Sequence, residues 1–153
     1  FISKQVPDHK CKLYLLHGDM SDEEMHGLYL HPNINIALSL THGEGFGLPL
    51  FEAAYMGVPV IAPGWSGQLD FLRGEDGKDN FYNVPREESA KLNMRECLKD
   101  VIEGRVGYAK DYAETLKERF SEEKMYAAFI DGMGIDMEEF SVESWLDGLD
   151  IEE

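Results

Sequence analysis

The sequence has 153 residues, 43% hydrophobic and 29% charged, a profile that suits one globular domain and argues against a disordered or fibrous chain. With 30 acidic against 14 basic residues the formal net charge is −16, which argues against a binder of nucleic acid or anionic lipid, since both need clustered Lys and Arg. No apolar run approaches the ~20 residues that span a bilayer, no signal-peptide pattern is read at the amino end, and Cys11 and Cys97 stand in no metal-ligand spacing, so a reduced, cytoplasmic setting is the expectation.

In chain order, Lys12–Leu16 is a short apolar run stopped by Gly18, which predicts a buried strand. Ser21 and Glu24 have capping-box spacing, so a helix is expected from there to about Leu30, ended by Pro32. Ile34–Leu40, apolar and β-branched, reads as a second buried strand, followed by the glycine-rich loop Thr41–Gly47. Pro49, tolerated in a first helical turn, opens a helix to about Met56 with Gly57 as its C′ residue. Val58–Ala62 makes a third strand with Pro59 at its start, where no ladder donor is required. A short helix around Leu69–Leu72, a turn over Gly74–Gly77 and a weak edge strand over Phe81–Val84 follow. From Glu87 the period is helical: Ala90, Met94, Cys97, Leu98 and Val101 line one face, and the Gly104–Gly107 segment breaks it. Ala109, Tyr112, Ala113, Leu116 and Phe120 line a second face, and Met125, Ala128 and Phe129 a third. These Met and aromatic stripes read as core surface.

The acidity is concentrated at the end of the chain. Residues 1–120 hold 19 acidic and 13 basic side chains, whereas residues 121–153 hold 11 acidic ones and Lys124 alone. The tail keeps Phe140, Trp145 and Leu146 among its acids, and is either solvated or an amphipathic segment that docks elsewhere. The fold class expected is α/β: a Rossmann-like parallel sheet with flanking helices and a helical carboxyl end.

The stretch His42–Glu52 carries the chemistry. It follows a parallel strand, at the carboxyl edge where open α/β sheets bind ligands. Gly43, Gly45 and Gly47 let main-chain N–H groups approach a ligand, and the helix beginning at Leu48 aims its free N–H groups and positive dipole end at the same place. An anion is favoured there. Glu44 and Glu52 would repel that anion unless each faces something else, and carboxylates accept paired hydrogen bonds from hydroxyls. An anion flanked by two hydroxyl-rich groups describes a nucleotide sugar. An isolated Glu in a loop or on a helix is ordinary; the joint pattern is what points to a site.

With seven residues between Glu44 and Glu52, in the setting Glu-Gly-Phe-Gly-Leu-Pro-x-x-Glu-Ala and followed by Gly57-Val-Pro-Val-Ile61, the sequence resembles the Glu-x7-Glu motif of retaining glycosyltransferases of the GT-B fold (the glycosyl transferases group 1 family), in their donor-binding carboxyl domain. The resemblance runs from roughly Leu13 to Val84. It implies that Glu44, the catalytic position, contacts hydroxyls of the transferred sugar, and that Glu52 binds the ribose. It further implies that the amides of Gly45, Phe46, Gly47 and Leu48 face sugar and diphosphate, and that the segment Gly18-Asp19-Met20 lies near the base. It implies no metal and no cofactor beyond the nucleotide-diphosphate sugar, and retention of anomeric configuration. The acceptor, whether glycan, lipid or protein, would be held by an amino-terminal domain outside this sequence.

One departure stands out. The family neutralises the diphosphate with an Arg and a Lys early in the donor domain. Residues 1–72 contain Lys4, Lys10 and Lys12 and no Arg. The expectation is therefore a partial donor-binding domain over residues 1–132, beginning mid-domain and inactive alone, with an acidic tail over 133–153. The alternative is a non-catalytic interaction module that keeps the fold; a dehydrogenase half is disfavoured because Gly-x-Gly-x-x-Gly is absent. His42 is expected to be structural, and Trp65, Ser66 and Gly67 either border the pocket or pack the loop. His9, His17, His26 and His31 have no paired ligand spacing, so no metal site is expected.

Overall fold

The β-branched runs of the middle third meet side by side. In the computed structural model, which describes residues 10–85 and 87–133, three short parallel strands form one sheet in the order β1 (Ala37–Leu38), β2 (Val60–Ala62), β3 (Tyr82–Asn83). The register pairs Ala37 with Val60 and Ile61 with Tyr82. Backbone bonds extend the ladder past these limits, from Ala37 N–H to Pro59 (2.9 Å), Ser39 N–H to Ile61 (3.0 Å) and Val84 N–H to Ala62 (2.9 Å). The acidic tail from residue 134 onward lies outside the described residues.

Alternation along β2 divides the core between two faces. Val60 and Ala62 pack with Leu50, Ala53, Phe71, Leu72 and Leu116. Ile61 points the other way, to Val84, Ala90 and Cys97. The first face is covered by α2 (Leu48–Tyr55), α3 (Leu69–Leu72) and α5 (Gly107–Arg119), the second by α4 (Glu87–Ile102). The described chain is thus a mixed α/β structure with a parallel sheet and helices on both sides.

Local chemistry sets the helix ends. Ser21 caps α1 (Asp22–Tyr29): its hydroxyl accepts from Glu24 N–H (3.3 Å), and the Glu24 carboxylate accepts from Ser21 N–H (2.8 Å). At the end of α2, Gly57 N–H donates to Ala54 and Val58 N–H to Ala53, with Gly57 at φ 76°, the two-bond Schellman arrangement. Tyr112 of α5 donates to the Phe71 carbonyl (2.8 Å), locking that helix onto the first core face. Ser121 caps α6 (Glu122–Gly132). Tyr82 donates to Asp100 (2.7 Å), which Arg105 also pairs.

Four expectations need correction. Ile34–Leu40 is not a buried strand throughout: only Ala37–Leu38 is strand, and Leu38 and Leu40 are exposed because β1 lies at the edge of the sheet among the described residues. Lys12–Leu16 forms no strand: Tyr14 is 86% and Leu15 89% exposed, because no ladder neighbour lies beside them among the described residues and a lone strand leaves its backbone groups unpaired. In α4, Ala90 and Cys97 are buried, but Met94 and Leu98 are exposed. In α6, Met125 and Phe129 are exposed, since no second layer covers that helix among the described residues. The helical period was legible at those positions; the covering partner was not.

Candidate functional site

Every strand of a parallel sheet ends on the same edge, and here that edge gathers three pieces of chain. The Thr41–Leu48 loop leaves the β1 side, the Pro63–Gln68 turn leaves β2, and the Asn83 side chain stands at the end of β3. The loop and the turn are stitched together. Trp65 Nε1–H donates to the His42 carbonyl (3.0 Å), Glu44 N–H donates to Ser66 Oγ (3.2 Å), the Ser66 hydroxyl donates to the Glu44 carbonyl (2.6 Å), and Gly67 N–H reaches the same carbonyl (3.3 Å). A Cβ on Gly67 would stand 1.8 Å from the Gly45 carbonyl oxygen, so the approach depends on glycine. Trp65, Ser66 and Gly67 therefore both border the loop and pack it, and His42 contributes through its main chain.

Gly47 then turns the chain into α2. It is the N-cap residue at φ 90°, left-handed backbone that glycine adopts without a Cβ clash, and it is buried. Among the described residues, the amides of Gly45, Phe46, Gly47 and Leu48 have no backbone acceptor, as expected for a helix start. Gly45 and Leu48 are exposed, whereas the Phe46 ring is sunk among Phe71, Phe51 and Phe120, its centroid 5.0 Å from that of Phe71. Phe46 thus anchors the loop by its side chain.

The two acids are both half-buried and each has a neighbour. Thr41 Oγ1–H donates to Glu44 Oε1 at 2.8 Å. Glu52, one turn into α2, stands beside Tyr29 of α1; burial first, and then the Glu52 carboxylate, raise the Tyr29 hydroxyl above its ordinary pKa. That hydroxyl also donates to the Pro49 carbonyl (3.2 Å), tying α1 to the first turn of α2. Gly18, exposed with φ 127°, and Met20, half-buried, lie before α1, and no backbone hydrogen bond joins them to the loop among the described residues.

Tyr29, Thr41 and Gln68 were not singled out from the sequence. Gln68 is fully buried; its Nε2–H donates to the Pro63 carbonyl (3.0 Å), and its Cβ lies 3.5 Å from where a Gly47 Cβ would be. Its Oε1, like Asn83 Oδ1, has no partner among the described residues. Gln68 thus closes its own Pro63–Gln68 turn, and its burial depends on the loop stacked over it, which the local sequence does not show. Among the described residues no group of three His, Cys, Asp or Glu side chains could hold a metal ion, and no helix is long and apolar enough to cross a membrane.

Chemically, the edge offers unpaired amides at a positive helix end, suited to an anion, and half-buried carboxylates, suited to hydroxyl donors. Comparison of the chain with models of known families, with curated proteins and with solved structures gave no match in any of the three.

Proposed function

We propose that the chain is the donor-binding part of a retaining glycosyltransferase of the GT-B fold, with a Rossmann-like arrangement of its sheet, acting as part of a longer cytoplasmic protein. The observation that carries this reading is the pairing of Glu44 and Glu52 on either side of one helix start, at the carboxyl edge of a parallel sheet. In this reading the diphosphate of a nucleotide sugar lies against the amides of Gly45–Leu48, Glu44 accepts hydroxyls of the transferred sugar, and Glu52 accepts those of the ribose. Gly18 and Met20 border the base. Dipoles aimed at the departing diphosphate stabilise the charge that develops as the sugar leaves. No metal enters the scheme.

The test is titration of the full-length protein with UDP, GDP and ADP and their sugar conjugates. Glu52→Ala should weaken the preferred nucleotide by about 10- to 100-fold, the loss of hydrogen bonds to a charged acceptor. Glu44→Gln should slow sugar transfer while nucleotide affinity holds. Absence of binding to every nucleotide and nucleotide sugar would overturn the reading.

A second reading is favoured by one observation: in residues 10–72 the only cations of Lys or Arg type are Lys10 and Lys12, both exposed. A diphosphate carries more charge than amides alone neutralise, which suits a non-catalytic module that keeps the fold. A full-length protein that folds but binds no nucleoside diphosphate or nucleotide sugar would favour that module.

A further inference from the structure

We infer that Ser66 is a positioning residue for Glu44, an inference that rests on the donor-site reading above and extends it to a residue outside the motif. Among the described residues Ser66 is the one non-glycine with positive φ, at 76°. Left-handed backbone disfavours any residue with a Cβ, and such strain persists where the surroundings hold it. Glycine would suit the backbone at 66 better than serine does. What serine adds is its hydroxyl.

That hydroxyl is spent on one residue 22 positions away. It accepts from Glu44 N–H at 3.2 Å and donates to the Glu44 carbonyl at 2.6 Å, gripping both main-chain groups of Glu44. The Glu44 side chain is held separately, by Thr41 Oγ1 on Oε1 at 2.8 Å. Main chain and carboxylate are thus fixed by different partners, and Oε2, which accepts no hydrogen bond among the described residues, is left for a ligand. A carboxylate that must meet a particular sugar hydroxyl gains from such fixing, because a small misplacement is costly to a positioned reaction.

A purely structural hydroxyl and a positioning hydroxyl make different predictions. Ser66→Gly relieves the backbone strain and removes the grip; Ser66→Ala keeps the strain and removes the grip. The experiment compares both variants with the unaltered full-length protein by thermal unfolding, by hydrogen exchange at the Glu44 amide, and by titration with UDP-glucose, GDP-mannose and ADP-glucose, each against its own nucleoside diphosphate. For Ser66→Gly the expected result is an unchanged or raised unfolding midpoint and faster exchange at Glu44. Its preference for the nucleotide sugar over the bare diphosphate should fall about tenfold, the loss of one hydrogen bond's worth of alignment. An unchanged preference with unchanged Glu44 exchange overturns the inference. If the unaltered protein binds none of these ligands, the donor-site reading fails, while the Glu44 exchange rate still decides whether Ser66 holds that residue: acceleration supports the grip and its absence overturns it.

Discussion

At Gly67 the loop and the turn of the site come too close for any side chain. A Cβ there would stand 1.8 Å from the Gly45 oxygen and 3.1 Å from Phe46 Cα, both main-chain atoms that cannot swing aside. Gly67→Ala is therefore expected to cost about 1–3 kcal/mol, the usual range for overpacking, and to open the loop; thermal unfolding reads the first effect and nucleotide titration the second. Gly45→Ala is the contrasting case. Among the described residues nothing lies within 4 Å of a Cβ there, so stability should move by no more than about 0.5 kcal/mol, as for ordinary surface changes. The motif draws the eye to Gly45, yet the steric demand falls on Gly67. Spacing along the chain reveals which residues repeat a pattern, whereas the Ser66–Glu44 and Tyr29–Glu52 neighbourhoods join residues more than 20 positions apart. Such pairings depend on how the elements stack, which no local pattern encodes.

Among the elements, α2 links site and core, since its first turn borders the candidate site and its inner face carries Leu50, Ala53 and Ala54. It packs chiefly on α5, where Leu116 is fully buried. Leu116→Ala should lower stability by about 2–5 kcal/mol through lost burial and a residual cavity, measurable by denaturant unfolding. Elements whose signals are local were legible: the Ser21 capping box, the Pro49 helix start and the Gly57 stop all fall where their residues place them. Lys12–Leu16 was not, because a strand is defined by its neighbour. Its apolar residues announce burial without saying against what. The same holds for Met125 and Phe129 on α6, whose spacing is helical but whose covering layer is missing among the described residues.

For the molecule as a whole, titratable groups lie in and beside the second core face: Cys97 within it, and Tyr108 of α5, whose ring centroid is 6.3 Å from that of Tyr82. Burial raises the Cys97 thiol from 9.0 to about 11, and burial likewise raises the Tyr108 hydroxyl from 10.0 to about 12. Both groups keep their protons in the folded state at a pH where the unfolded chain has lost them. The unfolded state then binds fewer protons, so stability falls with rising pH. The contribution is fully present below about pH 9 and is lost progressively as pH rises through 11 to 12. The unfolding midpoint is expected to drop across that alkaline window, and Cys97→Ser should flatten the early part of the drop while Tyr108 preserves the later part; a midpoint measured against pH checks both.

Where that alkaline melting goes follows from β2. Ile61 faces the Cys97 side while Val60 and Ala62, its immediate neighbours, face the Leu116 side. One three-residue strand is thus a party wall, with no independent backbone for either side. Deprotonation behind it is expected to loosen both rooms together: unpacking α4 from Ile61 loosens the strand whose Val60 and Ala62 side chains α2 packs with, and with α2 go the amides beside Glu44. The remote thiol and the loop edge share a single fate in cooperative unfolding, although no hydrogen bond joins them among the described residues.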